Sequence, residues 1–142
     1  MQAPKLLQPG EGEAFQMLSH TLTSKVSADD TNGAWVMFEI TDTSGNGAPL
    51  HTHPWEETFY ILEGELEVSI GNHKERATKG TSLHLPGNVV HGFTICSPTV
   101  RFLVMVPAYA EPFYREVGEK VSLPPRLEDL QEVCVKHGVR LV

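Results

Sequence analysis

The chain has 142 residues, of which 40% are hydrophobic and 20% are charged, and its formal net charge is −7. This length and composition predict a single folded domain with its own hydrophobic core, and they exclude a disordered protein. The negative charge, the lack of a Lys/Arg cluster and the lack of a long apolar stretch exclude nucleic acid and membrane as expected partners, and we expect a cytoplasmic protein.

Short β-prone runs separated by turn-forming residues extend from about residue 15 to residue 106. The first clear run is Trp35 to Ile40, and the next is Thr58 to Leu62. In the run from Glu65 to Ile70, apolar and charged or polar residues alternate, which predicts a strand with one buried face. Many short strands broken by turns are typical of an all-β sandwich or barrel.

The second half of this region continues the same pattern. Gly71 and Asn72 have the residue types of a two-residue hairpin turn, so the chain is predicted to return through His73 to Ala77. A further apolar run from Val100 to Val106 is suited to a covered sheet.

The character of the chain changes after residue 106, where four prolines interrupt it. Apolar residues then recur at helical spacing and predict a helix from about residue 126 to 137, ended by Gly138. We expect its apolar stripe to pack on the exterior of the barrel or on a neighbouring subunit. The chain is thus predicted to be one domain, 1–142, with a barrel core at about 15–106 and a helical tail at 107–142.

Histidines and a carboxylate stand out by their spacing between two of the predicted strands. His51 and His53 are two residues apart, so on a strand both imidazoles project to the same side, about 7 Å from each other. Glu57 is two and four residues before the core candidates Phe59 and Ile61, so on a strand its carboxylate points to the same face as their side chains, toward the interior. An unpaired charge is costly there, and a bound metal ion would remove that cost.

The fourth candidate ligand is His91, which follows a turn-like stretch after Pro86 and which a folded barrel can return to the other three. Three neutral imidazoles and one carboxylate suit a divalent ion of Fe, Mn, Ni, Co, Cu or Zn, and they suit Ca or Mg less well. Glu56 is a weaker alternative to Glu57, because its opposite parity places it outside the pocket.

Two aromatic residues close to the candidate ligands, Phe59 and Phe93, are predicted to line a substrate pocket. His84 is a further pocket candidate, with a solvent-facing position at the rim as the alternative, because it alternates with apolar neighbours. Three other histidines are predicted to be surface residues without a role: His20, His73 and His137.

Two spaced motifs contain the candidate ligands. The first consists of Gly45, His51, His53, Glu57 and Gly64. The second consists of Gly80, Pro86 and His91. Together they resemble the two motifs of the cupin superfamily, with departures from the second motif at Thr81, Asn88 and Ile95. The chain also resembles small single-domain cupins that are similar to quercetin dioxygenases. This resemblance implies an all-β fold, the double-stranded β-helix or jelly-roll barrel, with a short C-terminal helical tail.

The resemblance also implies a function. It points to a metal-dependent dioxygenase or other oxidoreductase that acts on a small organic molecule, such as an aromatic compound, with Glu57 doubling as a base. Two alternatives stay open: a non-catalytic binding or sensor module that captures a small metabolite, and a sugar isomerase or epimerase. A homodimer is expected from the resemblance and from the outer face formed by Thr58, Tyr60 and Leu62.

Overall fold

The computed structural model describes residues 3–142, so Met1 and Gln2 of the predicted domain lie outside the described residues. Within that range the chain forms two antiparallel sheets and two α-helices. The strands are β1 (Glu13–Met17), β2 (His20–Val26), β3 (Trp35–Thr43), β4 (Gly47–Thr52), β5 (Glu57–Glu63), β6 (Leu66–Ile70), β7 (His73–Ala77), β8 (Ser82–Leu85), β9 (His91–Ile95), β10 (Thr99–Pro107) and β11 (Arg140–Leu141). The helices are α1 (Glu111–Lys120) and α2 (Leu127–His137).

The two sheets contain six and five strands. The larger sheet has the order β1-β2-β3-β10-β5-β8, and the smaller one has the order β11-β4-β9-β6-β7. Strands that are distant in sequence pair in both sheets, as β10 does with β3 and β5. The predicted all-β architecture with a C-terminal helical tail is confirmed.

Alternation along the strands produces the core. In β5, Phe59 and Ile61 are buried while Tyr60 between them is exposed, and in β6 Leu66 and Val68 are buried. These side chains join buried residues of β3 and β10 in one hydrophobic cluster that includes both sheets. The two-residue turn predicted between β6 and β7 is present, and Gly71 has a φ of 58°, the left-handed conformation that glycine adopts readily.

The tail contains one helix that was predicted and one that was not. Helix α2 occupies the predicted range and ends at Gly138, whose φ is 77°. Helix α1 was missed because the prolines after residue 106 were interpreted as interruptions, whereas Pro112 lies in the first helical turn, where its missing N–H costs nothing. Gly118 lets α1 approach β1 closely, since a Cβ there would lie 2.1 Å from the carbonyl oxygen of Gln16.

The tail packs into the molecule rather than onto its outer surface. Side chains of both helices, among them Phe113, Tyr114 and Leu130, line the internal cavity. Strand β11 extends the smaller sheet by pairing with β4, so that Leu141 lies opposite His51. Of the apolar stripe predicted for α2, Leu130 and Cys134 line the cavity, whereas Leu127 is 62% exposed. In residues 3–142 no helix combines the length and the hydropathy that crossing a membrane requires.

Candidate metal centre

Three strands bring the four candidate ligands together at one end of the cavity. His51 lies near the end of β4, and His91 is the first residue of β9. Because β4 and β9 pair with His51 opposite His91, the two rings are adjacent, with centroids 4.3 Å apart. His53 lies just beyond the end of β4, and Glu57 is the first residue of β5.

The separations between the polar atoms match a single small site. One nitrogen atom from each of His51, His53 and His91 lies within 4.8 Å of the other two. The Glu57 carboxylate places Oε2 at 3.5 Å from the Nε2 atom of His53 and Oε1 at 3.7 Å from the Nε2 atom of His91. Ligand atoms that all lie about 2.0–2.2 Å from one ion are themselves roughly 3–4 Å apart. The two carboxylate–imidazole distances fall within that range, and the limit of 4.8 Å for the three imidazole nitrogens lies just above it, so the residues are placed around one small site.

Backbone carbonyls hold all three imidazoles in the same tautomer. The Nδ1 distances are 2.7 Å from His51 to the oxygen of Pro49, 2.9 Å from His53 to that of Trp55 and 2.8 Å from His91 to that of Val89. Because a carbonyl oxygen only accepts hydrogen bonds, each Nδ1 carries a proton, and in the neutral ring Nε2 presents a lone pair. Metal-binding histidines are usually held by such a hydrogen bond on the other ring nitrogen.

Two of these Nε2 atoms have no hydrogen-bond partner among the described residues. Those of His53 and His91 are buried and make no hydrogen bond to any described residue. In the neutral rings, two buried lone pairs thus face the negative carboxylate of Glu57, which is unfavourable unless a positive charge lies between them. The donor set of imidazole nitrogen and carboxylate oxygen is one that transition metal ions prefer.

The electrostatic environment favours the forms that bind a cation. Burial acts to raise the pKa of Glu57, but interactions with His53 and His91 outweigh it, so this pKa lies well below its usual range. Burial, together with the charge of His91, lowers the pKa of His51 to about 4, although the hydrogen bond that Nδ1 donates to the carbonyl of Pro49 acts to raise it. At neutral pH Glu57 is therefore ionised and His51 is neutral.

Two aromatic residues complete the surroundings of the site. The indole of Trp55 stacks on the His53 ring, with centroids 4.5 Å apart and an interplanar angle of 9°. The hydroxyl of Tyr114 donates a hydrogen bond of 2.7 Å to Oε2 of Glu57, and it accepts one of 3.3 Å from Nε1 of Trp55. Tyr114 could not be identified from the sequence, since it lies 57 positions from Glu57 on a helix that was not predicted.

The cavity beside the four residues has a volume of about 100 Å³. Phe59 and Phe93 both line it, and their rings meet edge to face with centroids 5.9 Å apart. Of the described residues along its wall, none is lysine or arginine, and most are apolar. The cavity therefore suits a small molecule without a strong negative charge.

His84 does not line this cavity. Strand β8 pairs with β5 so that His84 lies opposite Thr58, on the face of the sheet turned away from the core. Its Nδ1 is 2.8 Å from Oγ1 of Thr58, and its side chain is 55% exposed. The prediction that His84 lines the pocket is therefore wrong, and the alternative, a solvent-facing position, is confirmed. The pairing of β8 with β5 determines which face of β8 is buried, and His84 is on the other face. Glu56 is also exposed, as its parity predicted.

His20 was predicted to be a surface residue, and this prediction is wrong. The residue is only 5% exposed, lines the cavity and packs against Phe93 with ring centroids 5.7 Å apart. Its Nδ1 is 2.6 Å from Oδ2 of Asp42. A signal was present in the sequence, because His20 shares its parity with the buried Leu22 at the start of β2.

Comparisons of the sequence with known proteins give two matches. Residues 38–106 match a protein family described as the cupin domain. The chain is 28% identical over 118 residues to quercetin 2,3-dioxygenase of Bacillus subtilis (strain 168), an alignment that covers 82% of this chain and 35% of that protein. The chain thus spans about a third of the length of this relative.

Solved structures with the same architecture include enzymes and proteins of other kinds. The polyketide cyclase RemF from Streptomyces resistomycificus has a TM-score of 0.66 and 24% identity, with 75% of this chain and 80% of that chain covered. An RmlC-like cupin from Shewanella frigidimarina NCIMB 400 has a TM-score of 0.65 and 19% identity, with 79% and 97% covered. At this identity the likeness concerns the fold alone.

Proposed function

Because the chain is a member of the cupin superfamily with the jelly-roll fold of that group, we propose that it binds one divalent transition metal ion through His51, His53, Glu57 and His91. The observation that carries this proposal is the pair of buried, unpartnered Nε2 atoms that face the carboxylate of Glu57. The candidate ions are those of Fe, Mn, Ni, Co, Cu and Zn, since the ligand set does not distinguish among them.

The activity that we propose is that of a metal-dependent dioxygenase or related oxidoreductase acting on a small aromatic molecule. Its support is the 28% identity to a quercetin 2,3-dioxygenase and the aromatic wall that Phe59 and Phe93 give to the cavity. When bound, the ion would supply a Lewis acid and a template for oxygen-containing groups. The apolar lining favours this class over a sugar derivative, whose hydroxyl groups it would leave without partners.

The protein's own residues have distinct proposed roles in this activity. Phe59 and Phe93 orient the ring of the substrate, and the apolar wall around them excludes water. Glu57 has two proposed roles, since its ionised carboxylate would bind the ion and, once detached from it, would accept the proton of a substrate hydroxyl. The small volume of about 100 Å³, against roughly 300–1,000 Å³ for drug-sized ligands, favours a single-ring substrate.

An oxygen-uptake experiment tests this proposal. The purified protein is analysed for metal content, stripped, reloaded with each candidate ion, and mixed with a panel that runs from single-ring catechols to flavonols. We expect oxygen consumption and an oxidised product with at least one ion, and none with the His91→Ala variant. If the panel gives no turnover at verified metal occupancy, the dioxygenase proposal is wrong. A small molecule found by mass spectrometry in the purified protein would then favour the binding module.

We also propose that the protein forms a homodimer through the outer face of the larger sheet. Tyr60, Met105 and Trp35 are exposed apolar or aromatic residues on this face. Sedimentation of the wild type and of the Tyr60→Lys variant distinguishes the states, since the charge should shift a dimer toward monomer. A wild-type protein that sediments as a monomer at high concentration would contradict this proposal.

A further inference from the structure

The helical tail contributes a side chain that touches the candidate metal centre. Tyr114 lies on α1 and is buried, and its hydroxyl is 2.7 Å from Oε2 of Glu57. This contact joins the C-terminal helix to a proposed ligand on β5. The tail is thus part of the site and does more than cover the cavity.

We infer that Tyr114 is a positioning residue that fixes the carboxylate of Glu57 for metal binding, an inference that rests on the proposed metal site. With Oε2 held by the hydroxyl, the carboxylate keeps Oε1 on the side of His91, at 3.7 Å from its Nε2 atom. Without the hydroxyl the carboxylate can rotate about its last bond, so that neither oxygen is held in a fixed direction relative to the three imidazoles.

The direction of the hydrogen bond is fixed by a second residue. Nε1 of Trp55 lies 3.3 Å from the hydroxyl oxygen of Tyr114, and an indole N–H can only donate. The tyrosine oxygen therefore accepts from Trp55, and its own proton is directed to Glu57. A carboxylate is an acceptor, so the chain from Trp55 through Tyr114 to Glu57 has one consistent orientation.

The same tryptophan also supports a second proposed ligand. Its carbonyl oxygen accepts the hydrogen bond from Nδ1 of His53, and its indole stacks on that ring. Trp55 and Tyr114 together therefore hold His53 and Glu57 in place relative to each other. Outer residues of this kind commonly change metal affinity by about 10–100-fold when they are replaced.

Packing of the tail determines where the Tyr114 hydroxyl lies. Helix α1 approaches β1 closely at Gly118, and Glu116 on the same helix pairs with Lys136 and His137 of α2. These contacts fix α1 against both the larger sheet and α2. A displacement of α1 would withdraw the hydroxyl from Glu57, so the tail and the metal site are mechanically connected.

The test compares Co(II) binding by the wild type, by Tyr114→Phe and by the matched control Tyr109→Phe, which removes a hydroxyl from an exposed tyrosine of the tail. We expect Tyr114→Phe to weaken Co(II) binding by about 10–100-fold and to shift the visible absorption bands of the bound ion. The control variant Tyr109→Phe should match the wild type in both its Co(II) affinity and its absorption bands. The absorption bands report the ligand arrangement directly, which a general loss of stability would not change.

The outcomes separate this inference from the proposed metal site. Wild-type affinity and an unchanged spectrum in Tyr114→Phe would overturn the positioning role while leaving the metal site in place. A wild-type protein that does not bind Co(II), Zn(II) or Mn(II) would overturn both. If Tyr114→Phe does not fold, Trp55→Phe replaces it: this change removes the indole N–H but keeps an aromatic ring, and it should shift the Co(II) spectrum in the same direction by less. An unshifted spectrum would again overturn the positioning role.

Discussion

Two buried clusters of histidine and carboxylate lie on the same cavity, and they differ in how well their polar atoms are satisfied. In the first, Asp42 accepts hydrogen bonds from His20 at 2.6 Å, from Ser19 at 2.8 Å and from Asn46 at 2.9 Å, as well as from a backbone N–H. In the second, Nε2 of His53 and Nε2 of His91 face Glu57 at 3.5 and 3.7 Å without any hydrogen bond.

The difference indicates which cluster serves the fold and which serves function. Nearly all buried polar groups in proteins find a hydrogen-bond partner, and those that do not call for an explanation. The His20–Asp42 cluster is complete and connects β2 to β3, so its role is structural. The cluster around Glu57 leaves two Nε2 atoms without a hydrogen bond to any described residue, which supports its proposed role in metal binding. Five experiments test this contrast.

Loss of a ligand from the second cluster should have the largest effect. Replacing His91 by Ala should reduce affinity for Zn(II) or Mn(II) by roughly 100-fold or more, because even outer partners of a metal site are worth about 10–100-fold. Isothermal titration calorimetry measures the affinity. His84→Ala is the matched control, since His84 is exposed on the outer face. Undiminished binding in His91→Ala would exclude this residue as a ligand.

Metal binding should also stabilise the folded chain. At a free metal concentration 100 times the Kd, the free energy of unfolding should rise by about 2.7 kcal/mol, provided that the unfolded chain does not bind the ion. Chemical denaturation with the metal and with a chelator measures the difference. The His53→Ala variant should show no such rise. Identical curves for the metal-loaded and stripped wild type would argue against a tight site.

Damage to the first cluster should lower stability and leave metal binding intact. Replacing Asp42 by Ala removes the acceptor of the buried His20 and should cost about 1–3 kcal/mol in the free energy of unfolding. Asp42→Asn retains one acceptor oxygen and should cost less. Urea denaturation gives the stability, and elemental analysis gives the metal content. Loss of metal from a stable Asp42→Ala protein would show that the two clusters are not separate.

The smallest expected effect is a difference in pH dependence between the clusters. Burial acts to lower the pKa of His91, but interactions with Glu57 outweigh it and raise this pKa above the ordinary 6.5, so at a pH below that pKa the metal must displace a proton. Affinity should therefore increase with pH, by up to about tenfold per unit, until the pH exceeds that raised pKa. Zn(II) titrations at a series of pH values measure the affinity, and an affinity that does not change with pH would contradict this prediction.

The pKa of His20 is shifted in the opposite direction from that of His91. Burial is the main cause that lowers its pKa below the ordinary 6.5, and it outweighs the attraction of Asp42. The unfolded chain then binds a proton more readily than the folded one, so the stability due to neutral His20 is present above pH 6.5 and is lost as pH falls below that value. Unfolding of the metal-free wild type and of His20→Phe, compared at pH 7 and pH 5, should show a smaller loss in the variant. An equal loss in both would contradict this assignment.

Local patterns in the sequence were sufficient for much of the fold. Alternation located β6, the residue types of the Gly71–Asn72 turn located β7, and helical spacing located α2, because each of these features depends on residues that are near neighbours in the chain. The same parity argument placed Glu57 and Phe59 on the inner face of β5, where both are buried. The proximity of His91 to His51 came from the resemblance of the motifs, since it depends on the pairing of β4 with β9.

The sequence by itself determined which residues are chemically able to form the candidate site and which side chains of a strand share a face. Only the tertiary structure decided that Tyr114 reaches Glu57, that His20 is buried and that His84 is exposed. The physical reason is that period-two alternation says which side chains point the same way. It does not say which distant segment covers them, and burial and hydrogen bonding depend on that covering segment.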